Sequence, residues 1–233
     1  MDNSRRLTIS FVMSNVCQLQ QLMTLDTNMK TSDIEERFEQ IAKMLFESFA
    51  IQKGKTIYLF KEIEFYFYNK NHRDIITHPR ASKPLCWYVN DFGGIDLNFS
   101  SNIELDCRYN EKVKNIKKYV LDDNAYFGGI LIRQLVDKEN GEALKGPLAC
   151  AELFRSYDAS GIDMNENMPV LVECNNGKTE PITAKSRVNI LRSSQIAEKK
   201  VDNILYAYSE YPEKEKLYKD FCDFIEKPYG YLR

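Results

Sequence analysis

The run Lys61-Glu62-Ile63-Glu64-Phe65-Tyr66-Phe67-Tyr68, followed by His72 and His78, gathers the side chains of this 233-residue chain best suited to acid–base chemistry. Apolar side chains at Ile57, Leu59, Ile63, Phe65 and Phe67 recur at every second residue, which predicts a β-strand with one face in a core. Side chains on a strand alternate, so Glu62, Glu64, Tyr66 and Tyr68 share the other face. Two carboxylates then stand about 7 Å apart, two strand rises, beside two phenols. A solvated strand face accounts for the acids equally simply, but such a face more often carries Thr, Lys and Ser. Acids framed by aromatic rings suit a pocket that holds a flat ring while a carboxylate takes a proton from water.

Other residues stand out for their chemistry. Arg133 is a lone cation in an apolar run, costly to bury unpaired, so it must meet a carboxylate or reach a polar cleft. Structural pairing and support of a reaction fit it equally well. His72 and His78 are the chain's two histidines. Six apart across a turn, they lack a third metal ligand at convincing spacing and form no H-E-x-x-H arrangement, so contact with a substrate or a backbone cap fits better than a metal. Phe92, between Asp91 and Gly93-Gly94, sits at a hairpin tip. Such a ring either tucks in, faces a partner, or acts as a wedge that fills the gap left when a base leaves a duplex. Lys112, Lys114, Lys117 and Lys118 form one basic segment; Arg187, Arg192, Lys199 and Lys200 form another. Each is read as solvated surface or as a set of phosphate contacts.

Composition sets the limits. The formal charge of −2 and pI near 5.9 give no general nucleic-acid footprint. No window approaches the run of about 18 apolar residues that a membrane helix needs. The stretch after Arg5-Arg6 faintly resembles a signal peptide, but Thr8, Ser10, Ser14 and Asn15 interrupt it and no small-residue cleavage site follows. The six cysteines are scattered without a C-x-x-C pair. That pattern fits reduced thiols and a cytoplasmic protein.

The elements that must position these residues follow from periodicity and turn chemistry. Residues 1–30 are expected to form an arm or a loosely packed helix. Ser32 with Glu35 reads as a capping box, after which Ile34, Phe38, Ile41, Leu45, Phe46 and Phe49 keep helical spacing. Gly54 breaks the chain before the strand over 58–68. A polar loop over 69–84 leads to short strands near 85–89 and 95–99, joined through Asn90-Asp91-Phe92-Gly93-Gly94. Asn110 is expected to cap a short helix bearing Val113, Ile116, Tyr119 and Val120. The run 127–135 reads as a buried strand, and Gly146-Pro147 opens a helix through Leu148, Ala151, Leu153 and Phe154. Strands are expected over 170–173, 187–191 and 204–208. A last helix after Pro212 carries Leu217, Phe221, Phe224 and Ile225. Hairpins in place of regular βαβ units predict an α+β fold: one domain over 31–233, with a mixed, mainly antiparallel sheet and surrounding helices.

The order of these motifs resembles the alkyladenine (3-methyladenine, methylpurine) DNA glycosylases. The resemblance is carried by Glu62-Ile63-Glu64-Phe65-Tyr66, His78, Trp87-Tyr88-Val89 with Phe92-Gly93, and Asn98-Phe99-Ser100-Ser101. It continues through Ile130-Leu131-Ile132-Arg133-Gln134-Leu135, Gly146-Pro147-Leu148, Ser186-Arg187-Val188-Asn189-Ile190 and Asn203-Ile204-Leu205-Tyr206-Ala207-Tyr208. It runs from about 35 to 212, and shared order carries it more than any single motif. The resemblance implies the glycosylase fold and a monofunctional enzyme that extrudes a damaged purine from double-stranded DNA. Glu64 would activate water, Tyr66 and His78 would sandwich the base, and Phe92 would be the wedge. Asn98 would be the active-site amide, with Asp96 as its rival in a hairpin one residue shorter than the family's, and Arg133 would support the acid that Glu62 accompanies. It implies no lysine nucleophile, metal or organic cofactor, a monomer, and a nucleoid or nuclear place of action. Phe at the wedge position, the longer loop before His78 and the acidic pI depart from the family. The different-class alternatives are a catalytically silent nucleobase- or nucleic-acid-binding module and a small-molecule N-glycoside hydrolase.

Overall fold

The computed structural model describes residues 14–80, 82–89, 93–103, 105–108, 116–119, 124–155, 168–177, 180–188 and 214–233. Four helices are described: α1 (Asn15–Leu22), α2 (Thr31–Ser48), α3 (Pro147–Arg155) and α4 (Lys214–Ile225). The strands that organise the sheet are β1 (Phe49–Lys53), β2 (Thr56–Asn69), β3 (His72–Arg73), β4 (Trp87–Val89) and β5 (Ile95–Asn98). A separate pair is β6 (Leu105–Arg108) and β7 (Ile116–Tyr119). Then come β8 (Phe127–Asp137), β9 (Ala143–Lys145), β10 (Val170–Glu173), β11 (Thr183–Lys185) and β12 (Gly230–Leu232). The main sheet runs β10-β1-β2-β8-β5-β4, with β12 and β3 also on β2, β9 on β8, and β11 on β12. Every described pairing is antiparallel, so the fold is α+β with hairpins in place of crossover units. No described helix is long and apolar enough to cross a membrane.

The helix α2 buries Ile34, Phe38, Ile41, Ala42, Leu45 and Phe46, one stripe at helical spacing, against the sheet. Phe38 stacks on Phe65 at 4.5 Å and lies 6.0 Å from Phe99. Because Phe65 faces α2, its neighbours Glu64 and Tyr66 must face away from it. The central pairing β2–β8 is unusually close at Gly128, where an added Cβ would stand 2.2 Å from the Tyr66 carbonyl oxygen.

Several expectations need correction. Helix α2 begins at Thr31 with Lys30 as its cap and no side-chain capping bond. Ser32 donates instead to Asp33, and Glu35 accepts from Tyr229 Oη at 2.8 Å and Lys227 Nζ at 3.0 Å. Tertiary partners have taken the acid of the expected capping box. The arm expected over 1–30 is integral where it is described: Leu19, Met23 and Leu25 are core residues. The helix expected after Asn110 is a strand at Ile116–Tyr119, paired with Leu105–Arg108, while Asn110, Val113 and Val120 lie outside the described residues. Arg187 and Val188 are not in a strand. The strand expected over 204–208 lies outside the described residues.

The alternation expected along β2 also fails at one point. Ile63, Phe65 and Phe67 are fully buried, but toward the start of the strand it is Phe60, not Leu59, that enters the core. The register explains this. Phe60 opposes Leu135, Glu62 opposes Gln134 and Ile63 opposes Ile132, so Lys61 on β2 and Arg133 on β8 are the unpaired residues of adjacent bulges. A bulge shifts the alternation by one residue.

Candidate functional site

Cross-strand partners in an antiparallel sheet point to the same face. Glu64 opposes Leu131, which opposes Asp96; Tyr66 opposes Gly129, which opposes Asn98. One sheet face therefore carries Glu62, Glu64 and Tyr66 from β2, Arg133 and Gly129 from β8, and Asp96 and Asn98 from β5. The absence of a side chain at Gly129 matters here. A Cβ at this position would lie 2.8 Å from Arg80 Nη1 and 3.0 Å from Asn98 Oδ1, so the glycine makes room for a guanidinium between the two halves of the site.

The acid half is tightly bonded. Glu64 is fully buried. Its Oε2 accepts from the Tyr66 hydroxyl at 2.8 Å and from Arg133 Nη1 at 3.4 Å, and its Oε1 accepts from the Val188 amide at 2.6 Å. Arg133 Nε also pairs with Glu62 Oε1 at 3.2 Å, and Lys185 Nζ reaches the same oxygen at 2.9 Å. Arg133, the unpaired residue of the β8 bulge, thus serves two carboxylates of the same strand. Burial, and then the neighbouring Glu64 charge, hold the Tyr66 phenol well above its ordinary pKa, so it remains a proton donor. Tyr66 keeps partial exposure, while one face of its ring is covered by the Arg187 guanidinium, 4.7 Å from the centroid.

Arg187 itself is buried and pairs with Asp74 at 2.6 and 3.1 Å, and it donates to the carbonyls of Phe65 and Phe224. Burial works against its charge, but Asp74 outweighs it and raises the guanidinium pKa. Arg187 is thus neither a solvated nor a phosphate-facing cation, contrary to its expected place in a basic segment. Of the other basic residues singled out, Lys112, Lys114, Arg192, Lys199 and Lys200 lie outside the described residues.

The amide half is ordered by a donor that cannot accept. Arg80 Nη1 pairs with Asp96 Oδ2 and donates to Asn98 Oδ1 at 3.2 Å, while its Nε donates to the His78 carbonyl at 3.1 Å. Since guanidinium has no acceptor, the Asn98 amide is turned so that its Nδ2 donates to Ser82 Oγ at 2.7 Å, which in turn donates to the Lys83 carbonyl. Asp96 and Asn98 are therefore neighbours under one cation. An open groove of about 520 Å³ borders Asn98 on the side of Ser82, Trp87 and Tyr88.

The two histidines part company. His78 is exposed just after the turn at Ile75-Ile76, two residues before Arg80. His72 is sealed with Phe38, Phe224 and Tyr229 at 4.7 to 6.0 Å from its ring, and neither ring nitrogen has a hydrogen-bond partner among the described residues. It is a core residue and cannot join a metal site with His78. Tyr68, expected beside the acids, is buried and stacks on Phe127 at 5.1 Å. Phe92 lies outside the described residues, as do Asn90 and Asp91.

Sequence reasoning missed Arg80, Lys185, Gly129 and the role of Arg187. Arg80 belongs to a polar loop whose composition marks no single residue. Arg187 and Asp74 are 113 residues apart, and no local pattern announces a pair at that distance. No family model, curated protein or solved structure matches this chain.

Proposed function

We propose that this chain is a monofunctional DNA glycosylase that excises alkylated or deaminated purines, with the methylpurine-glycosylase fold. The observation that carries the reading is the shared face on which Glu64 meets both Arg133 and the phenol of a half-buried Tyr66. An extruded base would stack on Tyr66, with His78 on its other side and Phe92 in the gap left in the duplex. Asn98 and Asp96, held by Arg80, would meet the base or its water from across Gly129. Glu64 would take a proton from the attacking water and pass it on as the purine departs, while Arg133 would position the carboxylate. For water to reach the acid, the Val188 amide must yield Oε1.

That last requirement supports a second reading. A fully buried carboxylate with donors on both oxygens also suits a catalytically silent module that binds a base on the Tyr66 ring. One experiment separates the two. Duplexes containing hypoxanthine, ethenoadenine or 3-methyladenine are incubated with the protein and scored for strand incision at the abasic site. The enzyme reading expects excision by the natural chain and none by Glu64→Gln, with binding to an abasic-site analogue nearly unchanged. Excision that survives Glu64→Gln sinks the mechanism; binding without excision by either protein selects the silent module.

A further inference from the structure

We propose that the β6–β7 ribbon is an arm that lies against the phosphate backbone of duplex DNA beside the site. The inference rests on the reading that this chain binds DNA, and it holds whether or not a base is excised. The first support is where the ribbon is rooted. It occupies the connection from β5 to β8, the strands that carry Asn98 and Gly129. Asn102 clamps the two ends of that connection together. Its backbone amide donates to the Tyr126 carbonyl at 3.2 Å, and its Oδ1 accepts from the Tyr126 amide at 2.8 Å. Its Nδ2 donates to the Asn124 carbonyl at 2.7 Å. The adjoining Ser101 and Ile103 line the groove that borders Asn98. Leu105 follows Ile103 by two residues, so the ribbon begins within about 7 Å of that groove-lining residue. Its four paired residues on each strand extend it by roughly 10 Å more.

The second support is the charge along the ribbon. The pair nearest the root is Leu105 with Tyr119, and each pair beyond it brings one cation. Lys118 opposes Asp106, Lys117 opposes Cys107, and Arg108 opposes Ile116. Cross-strand partners share a face and successive pairs alternate, so Lys117 belongs to one face, Lys118 and Arg108 to the other. A sheet that packs on a core keeps one face apolar, whereas this ribbon has cations on both. In sequence, residues 107–119 hold five cations against the single acid Glu111, although the whole chain carries −2. Solubility alone is served by interspersed charges of both signs and asks for no such excess. Among the described residues β6 and β7 pair only with each other, and a lone two-stranded ribbon is marginally stable in water. A surface of dense negative charge would complement the cations and steady the ribbon. Duplex DNA is such a surface, with one phosphate charge per about 1.7 Å of axis and a major groove that admits a two-stranded ribbon.

The test is equilibrium binding of a short undamaged duplex, and of the same duplex with one hypoxanthine, followed by fluorescence anisotropy over a series of salt concentrations. The natural chain is compared with the triple variant Arg108→Gln/Lys117→Gln/Lys118→Gln. Three lost phosphate contacts should lower the slope of log affinity against log salt by about 2.7, at about 0.9 per contact. Both duplexes should weaken by the same factor, because phosphate contacts carry no information about the base. Arg108→Lys/Lys117→Arg/Lys118→Arg keeps the charge and should keep the slope. If the neutral triple variant fails to fold, Lys117→Gln and Lys118→Gln singly should each lower the slope by about 0.9. An unchanged slope in the neutral variants overturns the arm and leaves the DNA reading standing. A loss confined to the hypoxanthine duplex does the same, since it would put these residues at the base and not at the backbone. A natural chain that binds neither duplex, or that binds phosphatidylserine vesicles through these cations instead, removes the arm and the DNA reading together.

Discussion

The Tyr66 hydroxyl donates to Glu64 Oε2 across 2.8 Å, although both side chains leave the same strand with one residue between them. Neighbours on one face of a strand are ordinarily about 7 Å apart at their origins, so the phenol must lie back along the strand toward the acid. One face of the ring so placed is covered by the Arg187 guanidinium. The same bond that satisfies the buried carboxylate therefore sets the orientation of the surface on which a base would stack.

Tyr66→Phe keeps the ring and deletes the donor. Among the described residues, the buried Glu64 oxygen then keeps Arg133 as its one donor, and the loss of a hydrogen bond to a charged group should cost about 1.5 to 3 kcal/mol. Urea titration of the two proteins measures it. A change under 0.5 kcal/mol would show that water replaces the phenol and that Glu64 is less enclosed than its burial indicates.

Arg133→Met is expected to cost more, about 3 to 5 kcal/mol, because removing one partner strands a charge in the interior. Glu62 retains Lys185, but Glu64 has no other cation at its oxygens among the described residues. Adding Glu64→Gln to Arg133→Met should recover much of the loss, since an amide needs no counter-charge. Additive losses in the double variant would mean that the two side chains are not energetically coupled.

Much of this arrangement was legible in the sequence, and the illegible parts share a cause. Strand alternation alone puts Glu62, Glu64 and Tyr66 on one face, and the cost of an unpaired buried Arg133 says it must meet an acid or reach a polar cleft. The antiparallel α+β character follows from hairpin turns such as the one before Gly93-Gly94. What local patterns do not reveal is long-range pairing. Strand β12 joins β2 from the far end of the chain, with Gly230 opposite Glu64, and β1 was hidden because Phe49 continues the helical spacing of α2. The bulges at Lys61 and Arg133 left one trace, a lysine on the apolar parity of β2, which the regular reading passed over.

Acid should destabilise the fold through His72. Its imidazole is held well below the ordinary value of 6.5, first by burial and then by the Arg187 and Lys227 charges. The unfolded chain thus binds a proton near pH 6.5 that the folded chain refuses. Below that pH the unfolded state holds more protons, so stability falls as pH falls, by up to about 1.4 kcal/mol per unit, until the folded value is reached. Urea midpoints between pH 5 and 7.5 should show this slope in the natural protein, and His72→Phe, seated among aromatic neighbours, should remove it. An identical pH dependence in the variant would place the acid sensitivity elsewhere.

The paired glycines of β8 make the sharpest contrast, because they face opposite sides of one strand. At Gly128 an added Cβ meets backbone, the Tyr66 carbonyl oxygen at 2.2 Å and Phe67 Cα at 2.9 Å, and backbone within a central sheet cannot retreat cheaply. Gly128→Ala should therefore part β2 from β8 beneath the site, with a cost of about 3 kcal/mol or more, at the upper end of overpacking penalties. At Gly129 the nearest atoms belong to side chains, Arg80 Nη1 at 2.8 Å and Asn98 Oδ1 at 3.0 Å. Gly129→Ala should cost the fold less and act locally, displacing Arg80 from Asp96 and releasing the Asn98 amide. Thermal unfolding measures the first difference. The side-chain amide resonances of Asn98 report the second, and they should shift in Gly129→Ala while most of the backbone spectrum stays in place. Equal destabilisation by the two alanines would show that the Arg80 side chain is as immovable as the strand it lies against.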